Sequence, residues 1–138
     1  MARNIKYLAI HCTATQPTAT KESILNYWKN VLKWKSPGYH RLIDRFGTIH
    51  ELADFESITN GVAGFNSVSI HISYIGGIDA LGKPQDTRTA KQIESMIYLI
   101  KEIRKKYPNI IVQGHRDFGA KKACPSFDVK SWLKSVYL

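Results

Sequence analysis

Short apolar runs alternate with longer amphipathic ones along the chain, the pattern of a sheet flanked by helices. Residues 5–11 are short and apolar enough for a buried strand. Residues 21–34 place Ile24, Trp28, Val31 and Leu32 on one helical stripe, and Ser36-Pro37-Gly38 closes that helix. Residues 39–52 predict a hairpin turning at Asp44-Arg45-Phe46-Gly47. A Gly-containing loop spans residues 60–66. Val68, Ile70, Ile72 and Tyr74 then alternate with Ser67, Ser69, His71 and Ser73, the period of a strand, which Gly76-Gly77 stops.

Thr89 and Gln92 have capping-box spacing. Ile93, Met96, Ile97, Ile100 and Tyr107 line one face of the long helix that follows, and Tyr107-Pro108-Asn109 ends it. Residues 110–113 predict a short strand and residues 114–127 a loop. Asp128 caps a last helix whose buried face is Trp132, Leu133 and Val136. The order is strand, helix, hairpin, strand, helix, strand, helix. It predicts one α/β domain over residues 1–138, a mixed sheet of about five strands flanked by helices.

Composition narrows the picture. At 138 residues, 43% of them apolar, the chain can bury a core without disulfide staples, and no repeat or linker divides it. Two cysteines make no disulfide framework, although a single Cys12–Cys124 bridge fits the sequence. The N-terminal segment lacks a signal-peptide core, and no window approaches the ~20 apolar residues of a membrane span. The expectation is a soluble chain made in the cytoplasm, which another agent must release if it works outside. A net charge of +9 favours anionic partners, nucleic acid or the phosphate-rich bacterial envelope. No nucleic-acid-binding motif accompanies that charge, and the basic residues are dispersed.

Candidate chemistry gathers where strands end. His11 closes the first strand, His115 follows the last, and Cys124 lies further along the same loop. Open α/β sheets place their sites in such loops. Two imidazoles and a thiolate suit zinc, and three protein ligands leave the fourth tetrahedral position open, as in catalytic sites. On spacing alone the three match no compact zinc motif; a strand-end histidine or a lone cysteine can equally be a packing residue. Cys12 should face away from His11 along the strand, and His40 away from Tyr39. His50 has no motif around it, and Trp28 and Trp34 read as core or helix-surface aromatics.

Four segments carry a family resemblance: Ile10-His11-Cys12-Thr13-Ala14-Thr15, Tyr39-His40, Gly76-Gly77-Ile78-Asp79 and Lys122-Ala123-Cys124-Pro125-Ser126-Phe127-Asp128. In that order they resemble the type 2 N-acetylmuramoyl-L-alanine amidases, the family of small phage endolysin amidases and peptidoglycan recognition proteins. The resemblance spans residues 5–132. It implies a Zn2+ ion held by His11, His115 and Cys124, with Tyr39 and Lys122 as catalytic side chains. It further implies cutting of the amide between N-acetylmuramic acid and L-alanine in peptidoglycan. The lack of a signal peptide and of a separate wall-binding domain suits a phage or prophage lysis enzyme, expected as a monomer, although an exported effector or a recycling enzyme would look similar. Outside that context Tyr39 is an ordinary hairpin tyrosine and Lys122 a solvated lysine. The alternative is a non-catalytic peptidoglycan-binding module, a kind of member that typically lacks the cysteine. Two departures concern the groove: Phe65 stands where phage members often carry histidine, and His71 where the family usually has glycine. His71 is expected to re-line the groove or to touch the stem peptide.

Overall fold

The structure, a computed structural model, describes residues 3–138. Its elements are β1 (Tyr7–Cys12), α1 (Lys21–Asn26), β2 (Arg41–Ile43), β3 (Ile49–Glu51), β4 (Ser69–Tyr74), α2 (Ala90–Lys106), β5 (Ile111–Gly114) and α3 (Val129–Ser135). The strands form one sheet in the order β3-β2-β4-β1-β5. β2, β4, β1 and β5 run parallel, and β3 lies antiparallel on the edge beside β2. This is the mixed, helix-flanked α/β sheet that the sequence predicts.

Register places the chemistry. Ile10 pairs with Gly114, so His11 and His115 are the next residues along that parallel ladder. His11 itself pairs with Ser73 of β4. One face of the sheet, with Leu8, Ile10, Cys12, Ile70, Ile72 and Tyr74, packs on α2 and α3 through Met96, Leu99, Ile100, Ile103, Val129 and Leu133. The other face carries His11, His71 and Ser73, and a smaller cluster of Ile24, Trp28, Leu42 and Ile75 packs on that side. Ser69, His71 and Ser73 are fully buried. The alternation along β4 therefore separates an apolar interior from a polar one, not core from solvent.

The helices depart from expectation. α1 stops at Asn26 and continues only as a π turn over Tyr27–Val31, where Leu32 N–H donates to Tyr27 O. The wider turn rotates later residues out of the stripe. Ile24 and Trp28 stay buried while Val31 and Leu32 are exposed, and Lys33 at φ 60° ends the segment before Ser36-Pro37-Gly38. α2 has the predicted Thr89–Gln92 box, but Gln92 is itself buried. Its Oε1 accepts from Thr89 N–H at 2.9 Å, and its Nε2 donates to Ile43 O at 3.2 Å and Ile75 O at 3.1 Å. That bridge to the ends of β2 and β4 rotates the helix, so Leu99 and Ile103 are buried and Ile93 and Ile97 only half so.

The hairpin turns on Asp44, whose Oδ1 accepts from Phe46 N–H and Thr48 N–H, with Gly47 at φ 83°. α3 departs in its face as well: Val129 and Leu133 are buried, whereas Trp132, edge-on against Phe127, and Val136 are only half-buried. Among the described residues no helix is long and apolar enough to cross a membrane.

Gln92→Leu leaves two strand-end carbonyls and the Thr89 N–H without their partner. Urea unfolding should show a loss of about 1–3 kcal/mol. A variant as stable as the parent would contradict the bridging role.

Candidate metal centre

His11 is almost fully buried, and its side chain points from β1 to the face away from α2. His115 opens a tight 3-10 turn, His115–Phe118, in which the Asp117 carboxylate accepts from Gly114 N–H at 2.8 Å. Cys124 lies in the following loop, fixed from several sides. Arg116 N–H donates to Cys124 O at 3.0 Å, Tyr74 O–H to Pro125 O at 2.6 Å, and Ser126 O–H to Gly77 O at 2.9 Å. Cys12 N–H donates to Cys124 Sγ at 3.1 Å. One nitrogen from each histidine and the Cys124 sulfur lie within 4.8 Å of one another, and His11 Nδ1 is 3.9 Å from that sulfur.

These donors fit a zinc-sized ion. With Zn–N about 2.0 Å and Zn–S about 2.3 Å, a tetrahedral shell separates N from S by about 3.5 Å, close to what is present. Burial, then His71, His115 and Lys122, pushes His11 well below the ordinary histidine range; burial and Lys122 lower His115 too. Both rings are therefore neutral near pH 7, the form that binds metal. Cys12 beside it and burial raise the Cys124 thiol. A cation is what turns such a thiol into a thiolate.

Tyr39 lies in front of His11, ring centroids 5.0 Å apart, and its ring meets Trp28 edge-on at 5.3 Å. Its hydroxyl donates to Cys12 O at 3.3 Å. Burial and the neighbouring Cys124 raise the phenol, so it stays protonated and acts as a donor. Lys122 is exposed, at the rim. A cleft of about 520 Å³ joins His11, Tyr39, His115 and Lys122, walled by residues 60–63 and by residues 118–120. Four of the five residues singled out in the sequence thus line one cleft, and the fifth, Cys124, lies beside His11 and His115 without lining it.

Other expectations sort themselves here. Cys12 points to the α2 side, and both cysteines are free thiols. His50 pairs with Asp44 in the hairpin at 2.9 Å, away from the centre. Trp34 stacks on Trp28 and reaches the cleft. Phe65 packs with Tyr7 and Phe118. His71 overturns its expectation: it is fully buried, so it can neither line the groove nor touch a peptide. It lies behind His11, with Nδ1 2.9 Å from His11 Nε2. Asn66, which holds His71 in turn, escaped the sequence reading because an asparagine in a glycine loop looks like ordinary turn chemistry.

Two histidines and a cysteine gathered beside a cleft that a lysine and a tyrosine also line are a set of side chains suited to hydrolysis. The chain belongs to the N-acetylmuramoyl-L-alanine amidase family, whose model matches residues 1–127, and is an amidase that acts on peptidoglycan. It is 35% identical over 129 residues to the endolysin of Enterobacteria phage K11, covering 91% of this chain and 83% of that one. The amidase LysC from Clostridium intestinale superposes with a TM-score of 0.81 at 21% identity, covering 99% of this chain and 87% of that one. Human PGRP-IBETAC, solved in complex with glycosamyl muramyl pentapeptide, gives 0.77 at 22% identity, covering 96% and 84%. At these identities the two structures speak to the fold alone.

His40, fully buried behind the centre, accepts from His71 N–H at Nδ1 and donates from Nε2 to Ser57 O. Burial, then Arg3 and Arg41, holds it down at about 4. The unfolded chain takes up the same proton near 6.5. Stability is therefore complete above about 6.5 and falls as pH drops toward about 4, with a limiting slope of ~1.4 kcal/mol per pH unit from this one ring. Urea unfolding of the metal-free protein between neutral pH and about pH 5 reads the slope. His71, held at about 3 chiefly by burial, and the lowered His11 and His115 add to that slope, so a flat profile would mean that none of these rings is held neutral by the fold.

Proposed function

We propose that the chain is a zinc-dependent N-acetylmuramoyl-L-alanine amidase. It would hydrolyse the amide between N-acetylmuramic acid and L-alanine of peptidoglycan, as a monomer, in lysis of the phage or prophage type. The observation that carries the zinc reading is the convergence of His11, His115 and Cys124, the two histidines lining a cleft that Tyr39 and Lys122 also line. The likeness to a phage endolysin supports the lysis setting. The family match supports the ligand class.

His11, His115 and Cys124 would hold the metal. When bound, zinc supplies Lewis acidity, which makes water nucleophilic near neutral pH and polarises an amide carbonyl. The chain's own side chains do the rest. Lys122 brings an ammonium to the oxygen that becomes negative as the carbonyl is attacked, a contribution of a few kcal/mol. Tyr39, kept protonated, donates a hydrogen bond that orients water or carbonyl against the centre. Its contact with Trp28 restricts the ring to that task. Residues 60–63 and 118–120 form the two walls against which a stem peptide lies.

Metal analysis should find about one zinc per chain. Cys124→Ser should lose metal and activity together. Lys122→Ala should keep zinc and lower kcat about 10²-fold. Purified walls treated with the wild type should yield new L-alanine amino termini. A protein that holds zinc and binds walls yet releases none is a binding module instead.

A further inference from the structure

Behind His11 three side chains form a line, and its direction can be read from one end. The Asn66 Oδ1 receives the backbone N–H groups of Gly61 at 3.1 Å and Val62 at 2.8 Å. Backbone N–H groups only donate, so that atom is the amide oxygen. His71 Nε2 lies 2.9 Å from the same oxygen and therefore carries the hydrogen. In a ring with one N–H the other nitrogen, Nδ1, keeps its lone pair. That lone pair meets His11 Nε2 at 2.9 Å, so His11 donates there. The His11 lone pair is thereby placed on Nδ1, the nitrogen facing Cys124 Sγ.

We propose that His71 and Asn66 are positioning residues of the metal centre, fixing His11 in the tautomer and orientation that offer Nδ1 to the ion. The inference rests on the reading of His11 as a metal ligand. A ligating histidine is ordinarily held through its other nitrogen by a carboxylate, a carbonyl or water. Here a second imidazole takes that place and passes the constraint to an amide oxygen.

Gly61 belongs to the same device. A Cβ there would lie 2.3 Å from His71 Nδ1 and 2.4 Å from its Cγ, so an imidazole at 71 requires glycine at 61. The requirement is for space. Because Gly61 and Val62 line the cleft and share the Asn66 oxygen, the cleft wall and the metal ligand hang from one anchor.

His71→Leu keeps bulk but removes both the acceptor for His11 and the donor for Asn66. Its zinc dissociation constant, measured by chelator competition at neutral pH, should rise about 10–100-fold. His71→Gln, whose amide retains one acceptor and one donor, should recover much of that loss. Unchanged affinity in a folded His71→Leu overturns the proposal. Should that variant fail to fold, imidazole nitrogen NMR of the metal-free wild type decides. The proposal expects His11 protonated on Nε2 and bare on Nδ1, and the opposite tautomer overturns it. A wild type without zinc affinity sinks the metal reading and this proposal with it, an outcome distinct from a wild type that binds zinc and a His71→Leu that binds it equally well.

Discussion

In the parallel pairing of β1 with β5, Ile10 sits opposite Gly114, and the ladder's next step brings His11 beside His115. Two of the proposed ligands, far apart in the sequence, become neighbours through backbone hydrogen bonds. Those bonds are buried between two packed faces, so the spacing of the rings depends little on loop conformation. The third proposed ligand has no strand of its own. Cys124 is held by the backbone N–H of Cys12, the last residue of the same strand, and by the Arg116 N–H that follows His115. The whole donor set is thus referred to β1.

A sheet with such a site must bury polar groups on one face, and that is costly unless each finds a partner. The structure meets the demand by pairing histidines with one another and with the backbone. His40 spans the His71 N–H and Ser57 O, while His71 spans His11 and Asn66. Among the described residues the only buried side-chain nitrogen or oxygen atoms without a partner are Arg3 Nε and Ser69 Oγ. Imidazole suits this layer because a neutral ring offers one donor and one acceptor in a fixed plane. Serine or asparagine at position 71 would satisfy one neighbour and fall short of the other.

Much of this was legible in the sequence, for reasons that differ by element. The strands were readable because apolar runs and period-two alternation report a sheet whatever lies on its faces. The Thr89 box was readable because capping is local, and the ligand cluster because a cysteine motif and two strand-end histidines were recognisable together. What failed depended on tertiary contact. Nothing local to Gln92 reveals that its amide will bridge two strand ends and rotate α2. Nothing local to Tyr27 announces a π turn. His71 reads as a groove residue because it stands where the family usually has glycine, and only the packing around β4 shows it to be interior.

The same strand also accounts for the cleft. Tyr7, at the start of β1 and on the same face as His11, packs edge-on against Phe65 at 6.0 Å and Phe118 at 5.2 Å. Phe65 follows the 60–63 wall, Phe118 begins the opposite wall, and the two rings lie 5.0 Å apart. Both walls are therefore pinned at one end of β1 while the ligands gather at the other. The 60–63 wall is thus held twice, by the Phe65 ring on Tyr7 and by the Gly61 and Val62 N–H groups on Asn66. Phe65 closes the Tyr7 cluster with an apolar ring, while the polar partner of His11 comes from β4 as His71.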